Sequence, residues 1–264
     1  MKITLLVDDC PVPGLQQEFG LSMLLESAVD SWLFDCGANT ALPVNLAKLD
    51  ISPEKYAKVI LSHGHYDHTG GLKNLTPSLI YCTCDIDQEH YSFHAADDIH
   101  NISMPAAAVQ VLRSSRVQFI SELTMIAPGI YLTGPIERKS FEDPGGRFFH
   151  DAACTEPDLV NEEQLLLTDS GVLITGCCHV GIINALEHCH QQCPHIKIHT
   201  IVGGLHLRNA SKLRLQKTAE YLYKYGIKKL YMLHCSGNNA VLELKKLLPQ
   251  TEIITPEPGA QWEV

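Results

Sequence analysis

The chain has 264 residues, of which 45% are hydrophobic and 19% are charged. This balance allows a substantial core and excludes a disordered chain or a coiled coil. The formal net charge of −10 disfavours a protein that captures nucleic acid electrostatically, so nucleic acid is not an expected partner.

The first half of the chain is predicted to be rich in strands. Short apolar runs between turn residues indicate strands, and the segment around 40–49 is typical of a short helix. A further helix is expected to start near Gly71. The predicted strands are Ile3–Val7, Leu21–Glu26, Trp32–Phe34, Val59–Leu61 and Leu79–Cys82.

The second half alternates strands with longer helices. Strands and helices alternating in both halves predict two mixed sheets packed face to face with helices outside. No linker composition separates the halves, so one domain over residues 1–264 is expected. The predicted strands are Val117–Ile120, Met125–Ala127, Ile130–Thr133, Gln164–Thr168, Val172–Thr175, Ile196–Val202, Lys229–Leu233 and Glu252–Thr255. The predicted helices are Val180–Gln192, Ser211–Tyr225 and Asn238–Leu248.

Two segments, at about 85–116 and 135–162, show neither clean strand alternation nor a sustained helical stripe, although part of the first is compatible with a helix. Long irregular segments in compact domains are usually functional. We therefore interpret both as insertions or lids over a site.

The sequence also bears on the compartment. No stretch approaches the roughly 20 apolar residues of a membrane span, so a membrane is not an expected partner. Residues 1–9 are typical of a strand that ends in acids rather than of a signal peptide. A cytoplasmic protein whose 10 scattered cysteines are free thiols is expected.

One segment concentrates metal-binding side chains directly after the apolar run Val59-Ile60-Leu61. It reads Ser62-His63-Gly64-His65-Tyr66-Asp67-His68-Thr69-Gly70-Gly71. Imidazole nitrogens and carboxylate oxygens are the ligands preferred by zinc and by non-haem iron or manganese. The segment therefore predicts a metal site, and its candidate ligands are His63, His65, Asp67 and His68.

Three further predicted strand ends each carry a histidine. Functional residues collect in such loops, so the repetition favours a shared site. We interpret His179 and His234 as metal ligands. His206 is either a ligand or a donor that faces the substrate.

These motifs resemble the metallo-β-lactamase superfamily. The closer similarity is to the branch that resembles 7,8-dihydropterin-6-methyl-4-(β-D-ribofuranosyl)aminobenzene 5'-phosphate synthase. The matching blocks run from end to end of the chain and keep their order. They are Glu18–Ser22, Phe34–Gly37, Ser62–Leu72, Thr175–Ile182, Gly203–Leu207 and His234–Gly237.

The resemblance implies an α/β fold, a four-layer αββα sandwich, with two divalent metal ions. Zinc is expected, and manganese or iron are the alternatives. One ion would be held by His63, His65 and His179, and the other by Asp67, His68 and His234. Asp35 would orient the metal-binding loop or a ligand histidine from behind.

The superfamily's usual bridging aspartate is missing, since Cys177-Cys178 stands in its region. Cys178 is the candidate bridge; the alternatives are one tight and one weak metal, or a bridge of hydroxide alone. Asp67 and His206 are the expected catalytic residues, with His206 donating to an oxyanion or protonating a leaving group.

The resemblance implies a hydrolase whose metal-bound hydroxide attacks a small, phosphorylated or anionic metabolite. The first alternative is a pterin-type transferase with a pyrophosphate leaving group. The second is a non-catalytic metal-binding protein. A small molecule is the expected partner, and the oligomeric state stays open.

Overall fold

The structure is a computed structural model and describes residues 1–95, 97–143 and 145–264. The strands within these residues are β1 (Lys2–Val7), β2 (Ser22–Glu26), β3 (Ser31–Phe34), β4 (Lys58–Ile60), β5 (Leu79–Cys82), β6 (Tyr91–Ala95), β7 (Asp98–Asn101), β8 (Val117–Phe119), β9 (Thr124–Ala127), β10 (Ile130–Leu132), β11 (Phe148–Phe149), β12 (Pro157–Asp158), β13 (Leu166–Thr168), β14 (Val172–Thr175), β15 (Thr200–Gly203), β16 (Lys229–Met232), β17 (Glu252–Ile254) and β18 (Gln261–Glu263). The α-helices are α1 (Ala41–Lys48), α2 (Tyr66–Thr69), α3 (Ala106–Ser114), α4 (Ile182–Gln192), α5 (Lys212–Tyr225) and α6 (Asn238–Leu247).

Two seven-stranded mixed sheets form the centre of the fold. The first has the order β18-β1-β2-β3-β4-β5-β8 and the second β17-β16-β15-β14-β13-β10-β9. In each sheet four neighbouring strands are parallel, and the remaining pairs are antiparallel. Parallel strands end at the same edge, so the loops that follow β3, β4, β14, β15 and β16 can converge on one site.

Successive side chains of a strand point to opposite faces of its sheet, and the core is therefore divided into layers. Ile3 and Leu5 of β1 lie in an apolar cluster between the two sheets, together with Ile174 of β14. Leu6 packs with α1 and α3 on the outer face of the first sheet. A third cluster joins the second sheet to α4, α5 and α6. Alternate side chains of a strand point to opposite faces, so each sheet packs against the other sheet on one face and against helices on the other. This confirms the predicted αββα sandwich.

A third sheet, of four antiparallel strands in the order β12-β11-β6-β7, was not predicted. Its strands lie in the two segments that we expected to be irregular, and α3 lies in the first of them. β11 and β12 have two residues each and pair across a long sequence separation, as Phe148 does with Ser92. Periodicity cannot reveal strands of this length.

No helix among the described residues combines the length and the apolar character needed to cross a membrane.

Candidate metal centre

The histidine-rich loop begins after β4 and runs into the short helix α2. Its side chains His63, His65, Asp67 and His68 are all buried. The helix begins at Tyr66, earlier than the predicted start near Gly71, and a 3₁₀ turn over Gly70–Asn74 follows it. A Cβ atom on Gly71 would lie 1.9 Å from the Cys36 carbonyl oxygen. Glycine is required there because the loop packs directly against the backbone that follows β3.

Asp35 lies behind the loop, as expected. Its Oδ1 accepts a hydrogen bond from the Ser62 amide at 2.8 Å, and its Oδ2 accepts from Ser62 Oγ at 2.7 Å. The same Oδ2 lies 2.6 Å from His68 Nδ1. Ser62 Oγ also lies 2.9 Å from His63 Nδ1. Because the Nδ1 atoms are held from behind, the Nε2 atoms of both rings are free to face a metal.

His63, His65 and His179 form the first group of candidate ligands. Their ring centroids are 4.6 to 4.9 Å apart, and one nitrogen from each ring lies within 4.8 Å of the others. The Nε2 atoms of His63 and His65 are buried and have no hydrogen-bond partner among the described residues. Burial lowers the pKa of His65 to about 3 and that of His63 well below its usual value. Neutral imidazole is the form that binds metal, so the group fits a divalent ion.

Asp67, His68 and His234 form the second group. Asp67 Oδ2 lies 3.2 Å from His234 Nε2 and 3.8 Å from His68 Nε2. The far side of His234 is fixed by Asp9, whose Oδ1 lies 2.7 Å from Nδ1. Asp9 is a site residue that the motifs did not reveal; its only signal is an acidic pair directly after β1. The arrangement repeats the carboxylate–histidine pairing that orients metal ligands.

Cys177, and not Cys178, faces the two groups. Cys177 Sγ lies 3.1 Å from His68 Nε2, and it shares possible ligand groups with His63 and with His234. The Cys178 side chain instead packs in the apolar cluster beneath α4. The expectation of Cys178 as the bridge is therefore corrected in favour of its neighbour. Consecutive side chains point to opposite sides at a strand end, and the sequence alone does not show which of the two adjacent cysteines faces the site.

His206 stands at the edge of both groups. Its ring centroid lies 4.3 Å from that of His179 and 6.1 Å from that of Phe148. Burial and the nearby His234 lower the pKa of His206 to about 4. The ring is therefore neutral near pH 7 and can either bind a metal or donate one hydrogen bond.

A cavity of about 490 Å³ lies between the histidines and the third sheet. Phe19 and Phe148 form apolar parts of its wall, and both lie close to histidine rings, at 5.0 Å from His234 and 5.4 Å from His65. Both segments interpreted as insertions contribute to the wall. These contributions come from Ser92, Phe93, His94, His100, Asn101, Ile102, Gly145, Gly146, Arg147 and Phe148.

The arginines near the site have different roles. Arg138 donates to the carbonyl oxygens of His179 at 2.6 Å and Val180 at 3.3 Å, so it holds the loop that carries His179. Arg208 pairs with Asp9. Arg147 lines the cavity with its guanidinium 4.2 Å from the centroid of the Phe93 ring, and no described carboxylate lies within ion-pair distance of it.

A family model for the metallo-β-lactamase superfamily matches residues 16–177 of the chain. The chain belongs to the metallo-β-lactamase superfamily. This confirms the resemblance carried by the sequence motifs. The superfamily binds divalent metals, and the buried histidine, cysteine and aspartate groups of this member could hold them.

Two proteins of Methanocaldococcus jannaschii are similar to this superfamily member. An uncharacterised protein is 28% identical, and the match covers 93% of this chain and 94% of that protein. The 7,8-dihydropterin-6-methyl-4-(β-D-ribofuranosyl)-aminobenzene-5'-phosphate synthase is also 28% identical, over 84% of this chain and 82% of the synthase.

A solved structure resembles this chain over its full length. It is described as a metal-dependent hydrolase of the β-lactamase superfamily, and it aligns with a TM-score of 0.87 and 29% identity. The match covers 100% of this chain and 99% of the other. The similarity extends through the second half, beyond the residues that the family model matches.

Glu163 supports the metallo-β-lactamase site from the core. Its Oε2 accepts a hydrogen bond from the Val180 amide at 2.8 Å, next to the candidate ligand His179. The carboxyl group is buried, and Oε1 has no hydrogen-bond partner in the part of the chain that the structure describes. Burial raises the pKa of Glu163 from 4.5 to about 8, although the Val180 amide lowers it in part. The folded protein therefore keeps this carboxyl protonated at neutral pH.

Replacing Glu163 with glutamine is expected to flatten the dependence of stability on pH. Between the pKa of the unfolded chain and that of the folded state, stability falls by up to about 1.4 kcal/mol per pH unit as pH rises. Glutamine does not titrate, so the stability of Glu163→Gln relative to wild type should increase by a few kcal/mol from pH 5 to pH 8. Urea unfolding at the two pH values measures this, with exposed Glu220→Gln on α5 as the control. Parallel pH profiles for wild type and Glu163→Gln would contradict the expectation.

Proposed function

We propose that this superfamily member is a metal-dependent hydrolase of a small anionic metabolite. The observation that carries the proposal is the first ligand group, in which the buried Nε2 atoms of His63 and His65 have no hydrogen-bond partner within the described parts of the chain and lie near His179. Burying two such nitrogens is unfavourable unless a ligand satisfies them. A divalent ion is the ligand that this donor set fits best, with zinc ahead of manganese or iron.

The proposed site holds two ions. His63, His65 and His179 would hold one, and Asp67, His68 and His234 the other, with Cys177 beside both groups. Bound metal would supply a lowered pKa for water and polarisation of a carbonyl or phosphoryl group.

The protein's own residues prepare the site for such chemistry. Burial alone would raise the pKa of Asp67, but His68 and His234 hold it below its usual range, so the carboxylate is ionised and can bind a cation. His206 is neutral and can donate a hydrogen bond to a developing oxyanion. Phe148 and Phe19 form apolar parts of the cavity wall.

Arg147 supports the assignment of an anionic substrate. Its guanidinium lines the cavity, is stacked on Phe93 and lacks a carboxylate within ion-pair distance among the described residues. A planar guanidinium binds phosphate or carboxylate through two parallel hydrogen bonds. The cavity volume of about 490 Å³ suits a metabolite rather than a polymer.

A transferase of the dihydropterin type is the second candidate. It is favoured by the 28% identity to the synthase, which covers more than four fifths of both chains. The same ligand groups would then favour departure of pyrophosphate from one substrate while a second substrate accepts the transferred group. The two candidates differ in whether water is a reactant.

The experiment is an isotope assay on the zinc-loaded protein. Phosphodiesters, lactones and esters that carry an anionic group are incubated in H₂¹⁸O, and products are analysed by mass spectrometry. Hydrolysis is expected to place one ¹⁸O atom in the product and to stop when a chelator removes the metal. Turnover that continues after complete demetallation, or product without ¹⁸O, would overturn the hydrolase. Product formed only when an amine or aryl acceptor is added would support the transferase.

A further inference from the structure

His90 lies buried beneath the metal-binding loop, directly before β6. Its Nδ1 lies 2.6 Å from Asp158 Oδ2, and its Nε2 lies 3.5 Å from Glu162 Oε1. Both carboxylates are buried as well. The ring is thus held at Nδ1 by Asp158 and lies beside Glu162 at Nε2, although it belongs to neither of the proposed ligand groups.

This assembly contacts the loop at Gly64, the residue between His63 and His65. The Gly64 amide donates to Glu162 Oε1 at 3.2 Å. A Cβ atom at Gly64 would lie only 2.6 Å from His90 Nε2, so the imidazole packs against the loop backbone itself. The His90 ring also meets that of His65 edge-on, with centroids 5.1 Å apart.

The same residue joins the loop to the third sheet. Asp158 is in β12, and the backbone carbonyl of His90 accepts from the Ile102 amide at 2.8 Å, just after β7. Ile102 in turn accepts from the Tyr66 amide at 2.9 Å, at the start of α2. The sheet that covers the cavity and the loop that carries the ligands are therefore linked through the His90 imidazole, by way of Asp158, and through main-chain hydrogen bonds of Ile102.

We propose that His90 is a positioning residue that, held by Asp158 and packed beside Glu162 and Gly64, sets the position of His65 and couples the third sheet to the metal centre. The proposal rests on the metal site of the proposed function. Residues that orient metal ligands from behind typically contribute 10- to 100-fold to metal affinity. A histidine that only filled space in the core would affect stability but not the geometry of the ligands.

Cobalt(II) serves as the probe, because its visible spectrum reports ligand geometry directly and needs no substrate. His90→Gln and Glu162→Gln are expected to bind Co²⁺ about 10- to 100-fold more weakly than wild type and to change the intensity of the d–d bands. His188→Gln, a half-buried histidine on α4 away from the site, is the matched control and should bind as wild type does.

Circular dichroism first establishes which variants are folded. Wild-type affinity and spectrum in folded His90→Gln and Glu162→Gln would overturn the inference while leaving the proposed function standing. If His90→Gln does not fold, the nearly isosteric Glu162→Gln decides alone. A wild-type protein that binds no Co²⁺ or Zn²⁺ would overturn the proposed function and this inference with it.

Discussion

Replacing His63 with alanine is expected to remove most of the stabilisation of the protein by divalent metal. The ring is buried and its Nδ1 is held by Ser62, while its Nε2 has no hydrogen-bond partner among the residues that the structure describes. Removing it leaves two histidines in the first ligand group. Metal affinity should fall by more than about 100-fold, because loss of a direct ligand exceeds the effect of losing a residue behind it.

The measurement is a thermal unfolding series with and without zinc. A metal present at 1,000 times its Kd stabilises the folded state by about 4 kcal/mol, so wild type should show a clear rise in Tm. A 100-fold weaker His63→Ala would gain only about 1.4 kcal/mol at the same zinc concentration and should show a much smaller rise. Exposed His190→Ala on α4 should keep the full rise. In the absence of metal, His63→Ala should lose only the stability that corresponds to the cavity and to the hydrogen bond between Nδ1 and Ser62. Loss of Nε2 adds no further cost, since this atom has no hydrogen-bond partner among the described residues. An equal zinc-induced rise in His63→Ala would contradict the assigned ligand.

Replacing Asp35 with alanine is expected to destabilise the folded protein by about 3 to 5 kcal/mol. The carboxylate is buried and is the acceptor for the Ser62 amide, for Ser62 Oγ and for His68 Nδ1. Alanine would leave these three groups without an acceptor in the core. Each buried group left unsatisfied costs about 1 to 3 kcal/mol.

Two control variants separate the cost of the backbone conformation from the cost of the lost hydrogen bonds. Asp35 has φ of 58°, a backbone conformation that alanine tolerates poorly; exposed Asp50, with φ of 52°, shares it. Asp50→Ala therefore measures the backbone cost alone, expected at about 1 kcal/mol. Asp35→Asn keeps one oxygen for the Ser62 amide and should lose less stability than Asp35→Ala while still weakening metal binding through His68. Urea unfolding and zinc titration measure both effects. A loss in Asp35→Ala no larger than that in Asp50→Ala would contradict the role of the hydrogen bonds.

The parts of the molecule that the sequence predicts are those with a local signal. The strands that precede His63, His179 and His234 each show an apolar run followed by a polar turn, and the structure places all three histidines at the expected sheet edges. Helices α4, α5 and α6 lie within a residue or two of their predicted bounds. Long amphipathic helices have periodicity over several turns, which makes them the most predictable elements.

The strands and site residues that the sequence does not predict depend on tertiary contacts. β11 and β12 are too short to show a period in the sequence, and they form by pairing, β11 with β6 and β12 with β11. Asp9 and His90 belong to no recognisable sequence motif. Their roles arise from contacts with residues that are distant in the sequence, His234 for Asp9 and Asp158 for His90. The exchange of Cys178 for Cys177 depends on backbone angles after β14 that spacing alone cannot give.

The left-handed backbone at the strand ends gives the site its rigidity. Four residues after the converging strands share this conformation, namely Asp35, Cys178, His206 and His234. Non-glycine residues adopt it at a cost of about 1 kcal/mol or more each, which the surrounding sheets must offset. Because two of these turns carry His206 and His234, part of the conformational entropy of these side chains is lost during folding rather than on metal binding. An ion bound there would meet donors that are already partly ordered, and less of its coordination energy would be spent on ordering them.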